Sequence, residues 1–200
     1  MMNEPLFSPV KKGKLFVVSA PAGCGKTTLV KKVLKAYPDH FSQSISYTTR
    51  GKRDAEQEGK DYFFVSKKTF LEKKEKGDFI ETNKIFDHEY GTDSDQIKNL
   101  TLKGKNVILV IDIGGARELK KRLSACCIFI SPPSKEELRR RLVSRGSETD
   151  SSLETRLGRA CEEMEQAVWF DYNLVNDDLE RAYQILVSIL VAENHRNNNT

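Results

Sequence analysis

Ala20-Pro21-Ala22-Gly23-Cys24-Gly25-Lys26-Thr27, followed by Thr28, carries the residue types needed to hold a polyphosphate. Gly23 and Gly25 let the backbone curl so that successive N–H groups converge on one anion. Lys26 supplies a cation for β- and γ-phosphates, and the Thr27 hydroxyl is a hard oxygen donor for Mg²⁺. A chance glycine turn is the plain alternative. Against it, an apolar run (Leu15–Ala20) precedes the loop and an amphipathic run (Lys26–Ala36) follows. Strand before and helix after is the context that a phosphate loop requires, and the helix start adds its positive dipole end. Ala20 stands where glycine is usual, which alanine tolerates if φ stays negative.

Other charged residues could serve the same chemistry. Asp112 closes the apolar run Val107–Asp112. A carboxylate there can hold Mg²⁺ beside a phosphate loop or cap the next helix, and the two roles are compatible. Arg139, Arg140, Arg141 and Arg145 cluster in and after one helical segment, and Arg156 follows in the next. Gly146 and the polar Ser147–Ser152 interrupt them, as expected of a hinged lid that closes guanidinium groups onto phosphates and shuts out water. Arg139 and Arg140 read as a solvated helix face. Arg141, Arg145 and Arg156 read as phosphate partners. Arg50 and Arg53, three apart in a polar loop with Tyr62 downstream, can grip a phosphate dianion.

These residues need a scaffold that brings them together. Leu15–Ala20, Val107–Asp112 and Cys126–Ser131 are short continuous apolar runs, which suit parallel strands covered on both faces. Asn173–Asn176 reads as an edge or late strand. Helical patterns follow at Lys26–Ala36, Gly115–Leu123, Ser134–Ser144 (with Ser134 as N-cap and Glu137 three residues on) and Asp178–Glu193. Strands alternating with helices indicate an α/β fold. Ser44–Thr92 breaks the rhythm, with strand-like Tyr62–Val65, Phe79–Glu81 and Tyr90–Thr92 and a polar helical stretch at Lys67–Lys76. It reads as an inserted lobe of antiparallel strands.

Composition sets the outer limits. A chain of 200 residues, 38% hydrophobic and 31% charged, fits one soluble domain with a small insertion. The net charge of +4 suits a small anionic ligand and is too weak to argue for nucleic acid; the basic helix also lacks interleaved aromatics. Cys24, Cys126, Cys127 and Cys161 lack CxxC spacing and read as free thiols in a reducing cytoplasm. Cys24 reads as a bystander that could block phosphate entry if oxidised. Met1–Lys12 has no secretion-signal pattern, and no apolar run approaches membrane-spanning length.

With these motifs assembled, the chain resembles guanylate kinase over Gly13–Ala192. The resemblance rests on Ala20–Thr28, Ser46–Arg53 with Gly59–Tyr62, Phe79–Glu81, Tyr90–Thr92, Ile111–Gly115, Pro132–Arg145, Glu148–Arg156 and Asn176-Asp177-Asp178. It implies a P-loop kinase core with a parallel sheet flanked by helices (13–43, 93–143 and 158–192). It further implies an inserted mixed or antiparallel GMP-binding lobe (44–92), a helical lid (144–157), and flexible termini (1–12 and 193–200). It implies transfer of the ATP γ-phosphate to GMP with Mg²⁺, and leaves dGMP open. By resemblance, Arg50, Arg53, Tyr62 and Tyr90 hold the GMP phosphate, Glu81 accepts from guanine N1–H and N2–H₂, and Ser46 and Thr92 contact the guanine edge. Glu56 matches a further GMP-lobe position, structural or water-mediated, and Asp112 is counted with the GMP-binding residues as well as with the metal. Lys26, Thr27, Arg141, Arg145 and Arg156 surround the ATP phosphates, with Asn176 near the adenine. Two departures stand out: Val110 replaces a usual carboxylate on the GMP or metal side, and Ala22 replaces a usual serine. The rival readings are a non-catalytic guanylate-kinase-like binding module and a related kinase for another phosphorylated small molecule.

Overall fold

The computed structural model describes residues 6–7, 10–144 and 150–197. In chain order its first elements are β1 (Leu15–Ser19), α1 (Lys26–Ala36), β2 (Phe41–Ser44), β3 (Tyr47–Thr48), β4 (Phe63–Phe64), α2 (Lys67–Glu75), β5 (Phe79–Ile85) and β6 (His88–Asp93). Then come α3 (Ser94–Leu102), β7 (Asn106–Val110), α4 (Ile113–Arg122), β8 (Cys126–Ser131), α5 (Lys135–Val143) and α6 (Asp150–Glu165). A 3₁₀ turn (Gln166–Trp169), β9 (Tyr172–Val175) and α7 (Leu179–His195) complete the fold.

Five strands form one parallel sheet in the order β2-β7-β1-β8-β9. Its central strand explains why the sequence shows runs rather than alternation. Phe16 and Val18 enter one core with Leu29, Val33, Leu138 and Leu186, while Val17 enters the opposite core with Leu109, Leu119 and Phe129. Successive strand residues point to opposite faces, so a sheet covered on both sides needs every position apolar. Burying each such side chain contributes about 1.5–3 kcal/mol.

The second sheet has the order β4-β3-β6-β5. Its β3–β6 and β5–β6 pairs are antiparallel and its β3–β4 pair is parallel, so it is mixed. Its apolar side is held by Phe79, whose ring centroid lies 4.8 Å from Phe70 of α2 and 5.5 Å from Tyr47.

Several boundaries differ from the sequence reading for local reasons. β2 has one apolar end, Phe41, and exists through its parallel register with β7, from Phe41 opposite Asn106 to Ser44 opposite Leu109. Nothing in FSQS alone announces a strand. The helix read at Gly115 starts at Ile113, because Asp112 caps it. α3 is capped by Asp93, which accepts from the Gln96 N–H. Ser134 caps α5 by accepting from the Glu137 N–H, as read, but the Glu137 carboxylate turns to Arg140 and Arg141. Arg145, Gly146 and the start of the polar lid stretch lie outside the described residues. No helix among the described residues is long and apolar enough to cross a membrane.

Candidate active site

The loop leaving β1 is shaped by two glycines in left-handed conformations, Gly23 at φ 91° and Gly25 at φ 84°. Ala20 has no such φ; among described non-glycine residues only Phe86 does. Gly25 is also sterically bound to its place, since a Cβ there would lie 2.4 Å from Asn176 Nδ2. That amide donates to the Cys24 carbonyl oxygen at 2.9 Å. Asn176 is 3% exposed and holds the loop from beneath, while Asp178, not Asn176, caps α7. The Cys24 side chain is fully buried in the core and packs away from solvent, as the bystander reading expects. Ala22, Thr27 and Thr28 are exposed and Pro21 is buried.

Lys26 opens α1, with Nζ 3.5 Å from the Ala20 carbonyl oxygen. Burial lowers its pKa, and the carboxylates of Glu163 and Asp112 oppose that fall. An ammonium held among carboxylates, with no tight ion pair among the described residues, is available to an incoming anion.

Facing this loop is a cavity of about 380 Å³ lined by Thr27 and Lys31 of α1, by Arg50, Arg53 and Tyr62, and by Val110 at the end of β7. Ser46, Glu56 and Tyr90 also line it. Arg50 is held in place from several sides. Its Nη2 donates to Glu56 Oε1 at 2.7 Å, its Nε to Tyr90 Oη at 3.3 Å, and its guanidinium sits 5.5 Å from the Tyr62 ring centre. Burial works against the charged form, but the bonds to Glu56 and Tyr90 prevail and raise the Arg50 pKa. Glu56 also accepts from the Arg53 N–H at 2.9 Å. Its carboxyl is partly buried, yet the Arg50 and Arg53 contacts hold its pKa below the ordinary value. Glu56 thus orients the Arg50 guanidinium and pins the Arg53 backbone. Lys31 Nζ meets Asp61 Oδ1 at 2.8 Å, which joins α1 to the lobe across the cavity mouth.

Glu81 lies inside β5 at 5% exposure, not at a solvated strand end. Its Oε1 accepts from the Thr92 hydroxyl, and Thr92 is its cross-strand partner and fully buried. Burial pushes its pKa up to about 7; the Thr92 bond opposes this and the Asp112 charge adds to it. Ser46 is buried as well.

Asp112 follows β7, the neighbour of β1, so it stands beside the phosphate loop at the carboxyl end of the sheet. Oδ1 accepts from the Gly115 N–H at 3.0 Å, and Oδ2 accepts from Asn83 Nδ2. Arg141 is partly buried; its Nε donates to Glu137 at 2.7 Å and its Nη2 to the Asn176 carbonyl at 3.0 Å, so it reaches the base of the loop. Hydrogen bonds from Arg140 and Arg141 pull Glu137 down to about 2. Arg139 pairs with Glu154 at the surface. Arg156 lies half-buried on α6, and Arg145 is outside the described residues.

Sequence reasoning passed over four participants: Lys31, Asn83, Arg159 and Glu163. Glu163 is seven residues after Arg156 on α6, close to the helical repeat, and that spacing was available to be read. Asn83 is two residues after Glu81 and shares its strand face. Lys31 and Arg159 carry no local signal; only the tertiary fold brings them to the site.

Comparison with known proteins bears on the whole assembly. The guanylate kinase family profile matches residues 12–193. The guanylate kinase of Chlamydia felis is 46% identical over 195 residues, covering 98% of this chain and 94% of the relative. That of Protochlamydia amoebophila is 48% identical over 186 residues, covering 93% and 94%. Among solved structures, guanylate kinase from Anaplasma phagocytophilum aligns with a TM-score of 0.76 and 31% identity, over 96% of this chain and 90% of that one. The SH3-kinase fragment of tight junction protein 3 aligns at 0.53 and 13% identity, over 95% and 61%, a likeness of fold alone.

Proposed function

The chain belongs to the guanylate kinase family and is an ATP:GMP phosphotransferase, and we propose that the loop, lobe and lid residues described above carry that reaction. In this reading Ala20–Thr28, held by Asn176, binds the ATP phosphates, with Lys26 on the β- and γ-oxygens. Arg50 and Arg53, with Tyr62 and Tyr90, grip the GMP phosphate. Residues 44–92 form the GMP lobe, 144–157 the lid, and the remainder of 13–192 the core. Arg141, Arg145 and Arg156 neutralise charge that develops on the moving phosphoryl group.

The observation that carries the choice of acceptor is the buried Glu81 carboxylate. An anion at 5% exposure with one side-chain donor among the described residues is short of hydrogen bonds. Guanine N1–H and N2–H₂ supply two donors at the spacing of a carboxylate, whereas adenine presents a lone pair at N1 and is repelled. Ser46 and Thr92 flank it. The cavity that holds Arg50 also reaches Thr27 and Lys31 of α1. An acceptor phosphate bound there abuts the triphosphate loop, which is what in-line attack needs. The attacking phosphate oxygen is already ionised, so no general base is required.

Mg²⁺ fits the donor set in one particular way. No cluster of three or more His, Cys, Asp or Glu suited to a metal occurs among the described residues. The exposed Thr27 hydroxyl is a free hard donor, and both Asp112 oxygens are already engaged within the protein. Such a site suits an ion carried mainly by substrate phosphates and water, with Thr27 as ligand and Asp112 reaching it through water. When bound, Mg²⁺ would offset charge on the β- and γ-oxygens. The surrounding residues do the rest: Lys26 and Arg141 orient the donor phosphates, and closure of residues 144–157 keeps water out.

The binding-module reading is less favoured, because Gly25, Lys26 and Thr27 form an intact loop and Arg141 stands beside it. Purified protein with Mg·ATP and GMP should yield ADP and GDP in equal amounts by chromatography. Lys26→Ala should cut the rate at least about a hundredfold with the fold retained by circular dichroism, since a lost transition-state cation costs several kcal/mol. A Lys26→Ala variant of wild-type rate would overturn the assignment.

A further inference from the structure

The β5–β6 hairpin meets the core at a junction that the substrate contacts above leave unexplained. Glu81 and Asn83 are two residues apart on β5 and point to the same side, with Thr92 and Tyr90 as their cross-strand partners. Asn83 therefore belongs to the face that bears the guanine and phosphate contacts, yet its amide is directed at the core, donating to Asp112 Oδ2. Room for this is made by two glycines in the first turn of α4. A Cβ on Gly114 would lie 2.7 Å from Asn83 Nδ2, and a Cβ on Gly115 would lie 2.8 Å from Glu81 Oε2. On the α6 side, Arg159 Nη2 lies 3.7 Å from the same Asp112 oxygen. Arg159 is itself anchored by Glu163 at 2.9 Å and by the Phe86 ring at 5.2 Å, in the turn between β5 and β6. One carboxylate is thus held from the lobe, from the start of α4 and from α6.

We propose that Asn83 is a positioning residue for phosphoryl transfer, fixing the Asp112 side chain and tying its placement to the strand that reads the nucleobase. The proposal rests on the GMP-kinase reading above. A neutral amide suits the role. It orients a carboxylate with a hydrogen bond but leaves the charge intact, whereas a second full cation at hydrogen-bond distance would offset it. The cap on Gly115 N–H fixes only one Asp112 oxygen, so the second bond is what removes rotation of the carboxylate plane. Gly114 is part of the same device, because any side chain there displaces the Asn83 amide.

The test is a double-mutant cycle on the full chain with Asn83→Ala, Gly114→Ala and the double variant, read by steady-state kinetics and thermal unfolding. Asn83→Ala should lower kcat about tenfold, the low end of what an outer partner of an active-site carboxylate is worth. KM for GMP should stay within about threefold, since Glu81 and the Arg50 cradle are untouched. Gly114→Ala should reproduce the loss, and the double variant should be no slower than the worse single, because the residue it obstructs is gone. In the unfolding data Gly114→Ala should destabilise the wild type and be harmless with Asn83→Ala. Asn83→Asp, equal in size but with an acceptor facing Asp112, should be slower than Asn83→Ala. Additive losses, a kcat within about twofold of wild type, or a parallel fall in kcat, GMP affinity and stability would each overturn the proposal. Wild-type protein that fails to phosphorylate GMP would sink the underlying reading as well; an active wild type with an indifferent Asn83→Ala would sink this inference alone.

Discussion

Replacing Glu81 by glutamine should make the ligand-free protein more stable and less able to use GMP. The stability side can be worked from burial. The carboxyl has an ordinary pKa of 4.5 and is pushed to about 7 in the fold, chiefly by desolvation. Below pH 4.5 it is protonated folded or unfolded and costs nothing. Between 4.5 and 7 the folded state retains a proton that the unfolded state has lost, so stability falls as pH rises. Above 7 the full cost applies. At about 1.4 kcal/mol per pH unit, the raised pKa costs the fold about 1 kcal/mol at pH 5 and about 3 kcal/mol at pH 8. A glutamine has the same shape, can still accept from Thr92, and carries no charge. Urea unfolding of both proteins should therefore show Glu81→Gln ahead by about 3 kcal/mol at pH 8 and by about 1 kcal/mol at pH 5. The same variant should lose about two orders of magnitude in kcat/KM for GMP, because an amide turns one acceptor into a donor that opposes a guanine donor. A variant that is less stable than wild type at pH 8, or whose advantage does not change with pH, would show that burial of the Glu81 charge is not what costs stability.

Other perturbations follow from the same geometry. Gly25→Ala should destabilise the protein by about 2 kcal/mol or more in chemical unfolding and abolish ATP binding by calorimetry. The residue sits at φ 84° and its Cβ would strike the Asn176 amide that holds the loop. Arg50→Lys should raise KM for GMP about tenfold or more while leaving KM for ATP near wild type, because an ammonium cannot bind Glu56 and Tyr90 together and still present a fork to phosphate.

The sequence revealed elements whose burial is uniform and residues whose chemistry is local. β1, β7 and β8 are covered on both faces and read as apolar runs; the glycines of the phosphate loop announce their own backbone. β2 was invisible because FSQS is stabilised by its register beside β7 and not by its composition. β5 looked three residues long because its later positions are polar, although Asn83 is polar for a reason that only the approach of Gly114 reveals. Arg50, Arg53, Glu81 and Tyr90 stand out through a family likeness; spacing alone does not show that Glu81 is buried or that Glu56 holds the Arg50 guanidinium and the Arg53 backbone. Asn176 was placed near the adenine, and the fold puts its amide against the Cys24 carbonyl, a contact between residues 152 positions apart that no local pattern encodes.

A phosphate loop facing a lobe selective for GMP should discriminate sharply among nucleoside monophosphates. The most direct measurement supplies purified protein with Mg·ATP and, separately, GMP, IMP, AMP, CMP and UMP, following nucleoside diphosphate formation. GMP should be the preferred acceptor. IMP, which lacks the N2 amino donor, should be slower by about one to two orders of magnitude, and AMP slower by about three or more. Turnover of AMP or CMP at a rate matching or exceeding that of GMP would contradict the account.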